Sequence, residues 1–252
     1  MKVYAEVPAS KTSSHDLVAS DRLKNQLEVL LATPVSKRKL LLAGPEGTGK
    51  TMTVSILAQT WKYPLYRFCI EEYLSMDWET SMRMASEVNN IINKITGVWW
   101  FPLPNESELE GFTEQERNKY SQRCEFLLRK LHCMQNPGVV IISLTTSINV
   151  PLDLLRIVDD YLFFSLPDTQ QIKALLERKH FSASTFSDSS IQKLTSCSHA
   201  EICSICDKMQ VHIAAGQSYS SAFTDAVSEC QFSKDLKKIS GDLRKLLTYW
   251  CG

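Results

Sequence analysis

The stretch Gly44-Pro45-Glu46-Gly47-Thr48-Gly49-Lys50-Thr51 fits the pattern GxxxxGK[ST] at every fixed position. It follows the apolar run Leu40-Leu41-Leu42-Ala43 and leads into a helical pattern over Thr51 to Gln59. Strand, loop, helix is the context this pattern requires. Glycines there let successive backbone N–H groups turn inward around an anion, and the N-terminus of the following helix adds the positive end of its dipole. Lys50 would reach the β- and γ-phosphates of a nucleotide, and Thr51 would offer its hydroxyl to Mg²⁺. The binding segment is read as Pro45, Glu46, Gly47, Thr48, Gly49, Lys50, Thr51 and Met52, with ATP and Mg²⁺ as cofactors. A glycine-rich turn that matches by chance is the plain alternative, and the flanking elements weigh against it.

The rest of the chain continues the alternation. Residues 1–16 read as a flexible arm, and Leu23, Leu27, Leu30 and Leu31 then recur at helical spacing from about Ser20. Leu65 to Ile70 reads as a strand, Ser81 to Asn93 as a helix, and Val98-Trp99-Trp100-Phe101 as a short strand ending at Pro102. Thr113 with Glu116 is a capping-box signature for a helix whose stripe is Tyr120, Leu127, Leu128 and Leu131. Val139 to Ser143 reads as a central strand and Tyr161 to Phe164 as the last one. Such alternation predicts a parallel sheet covered on both faces. From Asp168, a cap with Gln171 as its partner, the pattern is helical: Ile172 to Arg178, Ser190 to Leu194, Ala200 to Ala214 and Asp242 to Trp250, with Ser182 to Ser190 as a loop. The expected organisation is an α/β domain over 17–167, a three-layer parallel sheet of the P-loop kind, and a small helical lid over 168–252.

Composition narrows the partners. Lys plus Arg number 28 and Asp plus Glu 28, so net charge gives no general attraction to nucleic acid or anionic lipid. The first residues lack an apolar signal core, and apolar runs such as Val139 to Ile142 are far too short to cross a bilayer. An intracellular protein without membrane or nucleic-acid partners is expected. The 8 cysteines are irregularly spaced, which suits buried thiols in a reducing compartment. Cys203-x-x-Cys206, with Cys197 and His199 nearby, could supply metal ligands, but one helix would carry the pair, whereas structural zinc draws on separated segments.

The loop and its surroundings resemble the AAA family of ATPases over nearly the whole chain. His15-Asp16-Leu17-Val18 is similar to the segment that packs near the adenine, and the strand Val139 to Ser143 leads through Leu144-Thr145 to Thr146, at the sensor-1 position. Leu154-Leu155-Arg156 resembles the stretch that carries the arginine finger, with Arg156 as the candidate. Ser198-His199-Ala200-Glu201 resembles the sensor-2 turn, with His199 where the family has glycine. Leu40 to Val54 and Thr145-Thr146-Ser147 are most similar to the ciliary IQ-and-AAA proteins, one of which is a dynein regulatory complex subunit.

One departure matters. The resemblance implies an acidic pair after the third strand, one residue ordering Mg²⁺ through water and one polarising the attacking water. Pro102-Leu103-Pro104-Asn105-Glu106 follows Phe101 instead. Glu106 is the candidate catalytic carboxylate, beside Arg156 and Thr146, with Glu108 or Asp159-Asp160 as further possibilities. The expectation is an ATP-binding AAA module with weak or absent hydrolysis. It would serve as a structural or regulatory subunit of a larger assembly, such as a ciliary or microtubule-associated one, in the cytoplasm or on the cytoskeleton. An active oligomeric AAA ATPase remodelling a protein substrate is the alternative. A P-loop kinase whose region 168–252 covers an acceptor is the third reading.

Overall fold

The computed structural model describes residues 3–9, 12–33, 38–104, 111–133, 138–145, 154–230, 232–233 and 235–251, the last three by backbone alone. Its elements are β1 (Tyr4–Val7), α1 (Asp21–Ala32), β2 (Arg38–Ala43), α2 (Lys50–Thr60), β3 (Leu65–Phe68), α3 (Ile70–Ser75), α4 (Trp78–Ile92), β4 (Val98–Pro102), α5 (Glu114–His132), β5 (Val139–Leu144), α6 (Leu154–Ile157) and β6 (Asp160–Phe163). The helices α7 (Thr169–Arg178), α8 (Asp188–Leu194), α9 (His199–Ala214), α10 (Tyr219–Ser228) and α11 (Leu236–Cys251) follow.

The strands form one sheet in the order β1-β3-β4-β5-β2-β6. All neighbours run parallel except β1, which lies antiparallel on β3. Because side chains alternate along a strand, Leu40 and Leu42 of β2 face α1 and α2, while Leu41 and Ala43 face the layer that includes α4 and α5. The adjacent tryptophans divide in the same way: Trp99 is fully buried on the α4–α5 side, and Trp100 is partly covered on the α2 side. A parallel sheet needs cover on both faces, and these two clusters supply it.

Polar side chains set the helix starts. Ser20, Asp77, Thr113, Asp168 and Ser198 each accept a hydrogen bond from a backbone N–H in the first turn of their helices. Thr113 with Glu116 and Asp168 with Gln171 form the reciprocal boxes that their spacing predicts.

The structure departs from the expected pattern in four places. Tyr4–Val7, expected within a flexible arm, pairs with β3 from Tyr4↔Phe68 to Val7↔Leu65 and covers the edge that β3 would otherwise expose. The strand expected through Ile70 stops at Phe68, because Cys69 caps α3, its carbonyl accepting from the Tyr73 N–H, and Ile70 opens that helix. A short apolar run does not by itself separate strand from buried helix. The segment expected as a serine-rich loop holds a 3₁₀ turn (Ala183–Thr185) and the capped start of α8 at Asp188. The helix α10, capped by Ser218, has no counterpart in the sequence reading.

Helices α7 to α10 enclose a separate apolar cluster that includes Ile172, Ile202, Ile205 and Phe223. The last helix behaves differently, since Leu243 and Leu247 of α11 are buried in the sheet's own cluster with Leu41, Ala43 and Leu144. Leu243→Ala is therefore expected to destabilise the sheet core by about 2–5 kcal/mol, the range for deleting a fully buried leucine. Urea unfolding followed by tryptophan fluorescence checks this, since Trp99 reports the same cluster.

Candidate nucleotide-binding site

The loop between β2 and α2 has the backbone shape that its glycines permit. Gly47 and Gly49 have φ of 72° and 103°, in the left-handed region that a side chain disfavours. Space adds a second reason, for a Cβ on Gly47 would lie 2.5 Å from the Ser198 Oγ. Thr48 donates its hydroxyl to the Pro45 carbonyl at 2.7 Å, and the Lys50 Nζ donates to the carbonyls of Gly44 and Pro45 at 2.6 Å each. Lys50 thus folds back over its own loop, and burial pushes its ammonium down to about 7 against the opposing charge of Glu46.

Around the loop lies a cavity of about 560 Å³, within the size range of small-molecule sites. Residues Glu46 to Met52 form its floor. One wall is Leu17, Val18, Leu175, His199 and Cys203, and the other is Arg67, Trp100, Pro102, Ser143 and Thr145. The first wall joins the helical region to the loop: the Ala200 N–H donates to the Gly47 carbonyl at 3.0 Å, and Ser198 caps α9 directly above. Arg178 of α7 reaches back to the carbonyls of His15 and Asp16, which fixes the segment leading to Leu17.

His199 sits in that wall with both ring nitrogens buried and unpartnered among the described residues. Burial pushes the ring down to about 4, outweighing the nearby Val18 backbone and Asp168, which favour the charged form. Cys203 borders the cavity, and Cys206 packs into the helical cluster; burial raises both thiols, Cys206 to about 12. Neither is activated for chemistry.

The opposite wall carries the departure seen in the sequence. Register places Pro102 beside Ser143, and the Leu103 N–H donates to the Ser143 carbonyl at 2.9 Å. The strand end where the resemblance implies two carboxylates therefore presents Pro102 and the buried Leu103. Thr51, exposed in the first turn of α2, borders the cavity. No group of three or more His, Cys, Asp or Glu that could hold a metal occurs among the described residues. This donor set does not fit a magnesium ion ordered by protein carboxylates.

The other candidates fall apart in space. Glu106, Glu108 and Thr146 lie outside the described residues. Arg156 is exposed on α6 and is absent from the cavity wall. Asp159 accepts from the Lys39 N–H at 2.8 Å, and Asp160 pairs with Arg38 at 3.7 Å, at the start of β6 and so at the opposite end of the sheet from the loop. Pro45 contributes its carbonyl to Lys50 and Thr48 and does not line the cavity. Sequence reasoning missed Arg67, whose signal was a lone cation inside an apolar strand run, and Arg178.

A model of the AAA family, the ATPase family associated with various cellular activities, matches residues 40–165. No curated protein matches the chain in sequence. Among solved structures, the FIGL-1 AAA domain is similar at TM-score 0.62 with 13% identity, covering 96% of this chain and 90% of that one. The same domain in complex with ADP gives 0.60 with 12% identity over 95% and 91%. A katanin structure that addresses katanin self-assembly gives 0.61 with 14% identity over 96% and 93%. These likenesses speak to the fold. No helix among the described residues is long and apolar enough to cross a membrane.

The pH dependence of His199 follows from its surroundings. An unfolded imidazole titrates near 6.5 and the buried one near 4, so the unfolded chain binds more protons between those values. The stability associated with the neutral ring is full above pH 6.5 and is lost as pH falls toward 4. His199→Leu should flatten the melting-temperature profile over this window relative to the natural chain, a difference measurable by differential scanning fluorimetry.

Proposed function

The chain belongs to the AAA family, and from that premise we propose that it binds ATP at the Gly44–Thr51 loop and hydrolyses it weakly or not at all. It acts as a structural or regulatory subunit of a larger protein assembly. The observation that carries this reading is the contrast within one cavity: the loop is complete, while Pro102 and Leu103 stand where the metal-ordering and water-polarising carboxylates belong. A positioned acid or base alone contributes about 10²- to 10⁴-fold to a rate, and neither proline nor leucine can supply it. Binding is retained because it depends on the backbone nest, Lys50 and the dipole of α2.

Nucleotide would sit between residues 17–167 and 168–252 and tie them together, since Gly47 and the start of α9 already touch. Of the magnesium ligands that the family resemblance implies, this chain offers Thr51 at the loop, with Pro102 and Leu103 in place of carboxylates at the end of β4. The setting we favour is intracellular, in the cytoplasm or on the cytoskeleton, the cilium included, with other protein subunits as partners and no nucleic acid. The katanin structure that addresses self-assembly supports an oligomeric setting. An active, ring-forming ATPase that remodels a protein substrate is the second reading. The exposed Arg156, off its own cavity wall, favours it, because a residue acting on a neighbour's nucleotide needs that position.

Binding of a fluorescent ATP analogue, measured beside phosphate release, tests the first reading. The natural chain should bind without releasing phosphate, and Lys50→Ala should weaken binding by about tenfold or more, as expected for a lost charged hydrogen bond. Release that depends on Lys50 would overturn the reading in favour of the active ring. Calorimetry at pH 8 in buffers of different ionisation enthalpy should show proton uptake on binding. Lys50, held at about 7 in the free protein, is mostly neutral there and gains its proton beside the phosphates.

A further inference from the structure

On the wall opposite His199, a cation stands near the place of the missing acids. Arg67 follows Leu65 by two residues in β3, and Leu65 faces the α2 side of the sheet, so Arg67 points to that side as well. Its register partner in β4 is Trp100, whose ring packs on the same side. The guanidinium carbon lies 5.6 Å from the Trp100 ring centroid, in cation–π range. The indole N–H in turn donates to the Ser143 Oγ at 3.0 Å. Ser143, Trp100 and Arg67 thus form a braced row across β5, β4 and β3, and all three border the cavity that Lys50 and Thr51 enter from the other side.

The Arg67 side chain is 43% exposed, so its outer Nη donors can meet an anion. Its Nε is buried with no hydrogen-bond partner among the described residues, and Nη2 is engaged only by the half-exposed Glu71 at 3.3 Å. An exposed pair of this length contributes little and yields to a phosphate, which accepts from two guanidinium donors at once.

We propose that Arg67 takes the place of a metal ion as the counter-charge to the terminal phosphate, so that the site binds ATP without a divalent cation. The proposal rests on the nucleotide-binding reading above and adds to it the identity of the charge that replaces magnesium. The physical reason is that a triphosphate held by one buried lysine and a backbone nest still carries excess negative charge. Carboxylates at the end of β4 would order a metal to offset it, whereas Pro102 and Leu103 leave that offset to a side chain already braced against Trp100. A guanidinium neutralises charge without ordering an attacking water, in keeping with binding that does not lead to turnover.

The test compares the natural chain with Arg67→Gln, Arg67→Lys, Glu71→Gln and Lys50→Ala, using fluorescent ATP and ADP analogues in excess EDTA and in excess MgCl₂, with melting temperatures to show that each variant folds. The natural chain should bind ATP equally well in both solutions. Arg67→Gln should weaken ATP in EDTA on the order of tenfold or more while changing ADP little, and Arg67→Lys should recover part of the loss. Magnesium-dependent binding that is lost in Glu71→Gln and unchanged in Arg67→Gln would overturn the proposal and assign the wall to a metal held through Glu71. Equal loss of ATP and ADP in both Arg67 variants would also overturn it, because it would mark Arg67 as a general support of the wall. Failure of the natural chain to bind either nucleotide in either solution would instead bring down the nucleotide-binding reading itself. Lys50→Ala serves as the reference for that loss.

Discussion

The hydrogen bond from the Ala200 N–H to the Gly47 carbonyl joins the phosphate loop to the helical region at the point where a ligand would lie. It requires close approach, and glycine at 47 supplies both the left-handed backbone and the space beneath Ser198. The start of α9 and the start of α2 converge on the same loop, and both bring the positive end of a helix dipole. His199 and the strap from Arg178 to His15 and Asp16 lie beside that contact, on the same side of the cavity.

Two walls of unlike chemistry meet across the loop. The wall built from Leu17, Val18 and His199 is apolar at its centre, where burial holds the His199 ring well below its usual range, and Asp16, Arg178 and Lys179 border it. The wall built from β3, β4 and β5 is aromatic and cationic through Trp100 and Arg67, with Ser143 as the brace between strands. Acid–base chemistry needs a carboxylate or an imidazole poised to exchange protons near neutral pH. His199 is held neutral above about 4, and Pro102 and Leu103 carry no titratable group. Lys50 suits holding an anion: burial lowers its ammonium to about 7 in the free protein, and a phosphate beside it would favour the charged form.

Much of this was readable in the residues taken in order. The pattern Gly44 to Thr51 between Leu40–Ala43 and a helix placed the binding loop, and Thr113-x-x-Glu116 and Asp168-x-x-Gln171 placed two helix starts, because these signals are local: a turn, a dipole and a cap are set by residues within a few positions. Less legible were elements whose existence depends on a distant partner. Tyr4–Val7 becomes a strand only because β3 offers an open edge, and Leu243 and Leu247 reveal their place only when α11 is seen to return to the sheet.

By itself, then, the sequence determined that this chain has a phosphate-binding loop, an alternating α/β core and no acidic pair after Phe101, since each is a matter of residue type at fixed spacing. The tertiary structure decided which strand end faces the loop, and so turned Pro102 and Leu103 from an oddity of order into a missing pair within the site. It also removed Asp159 and Asp160 to the far end of the sheet and brought Arg67 onto the cavity wall. Strand order and the face that each side chain takes arise from pairing between segments far apart in the chain, and no local pattern contains that information.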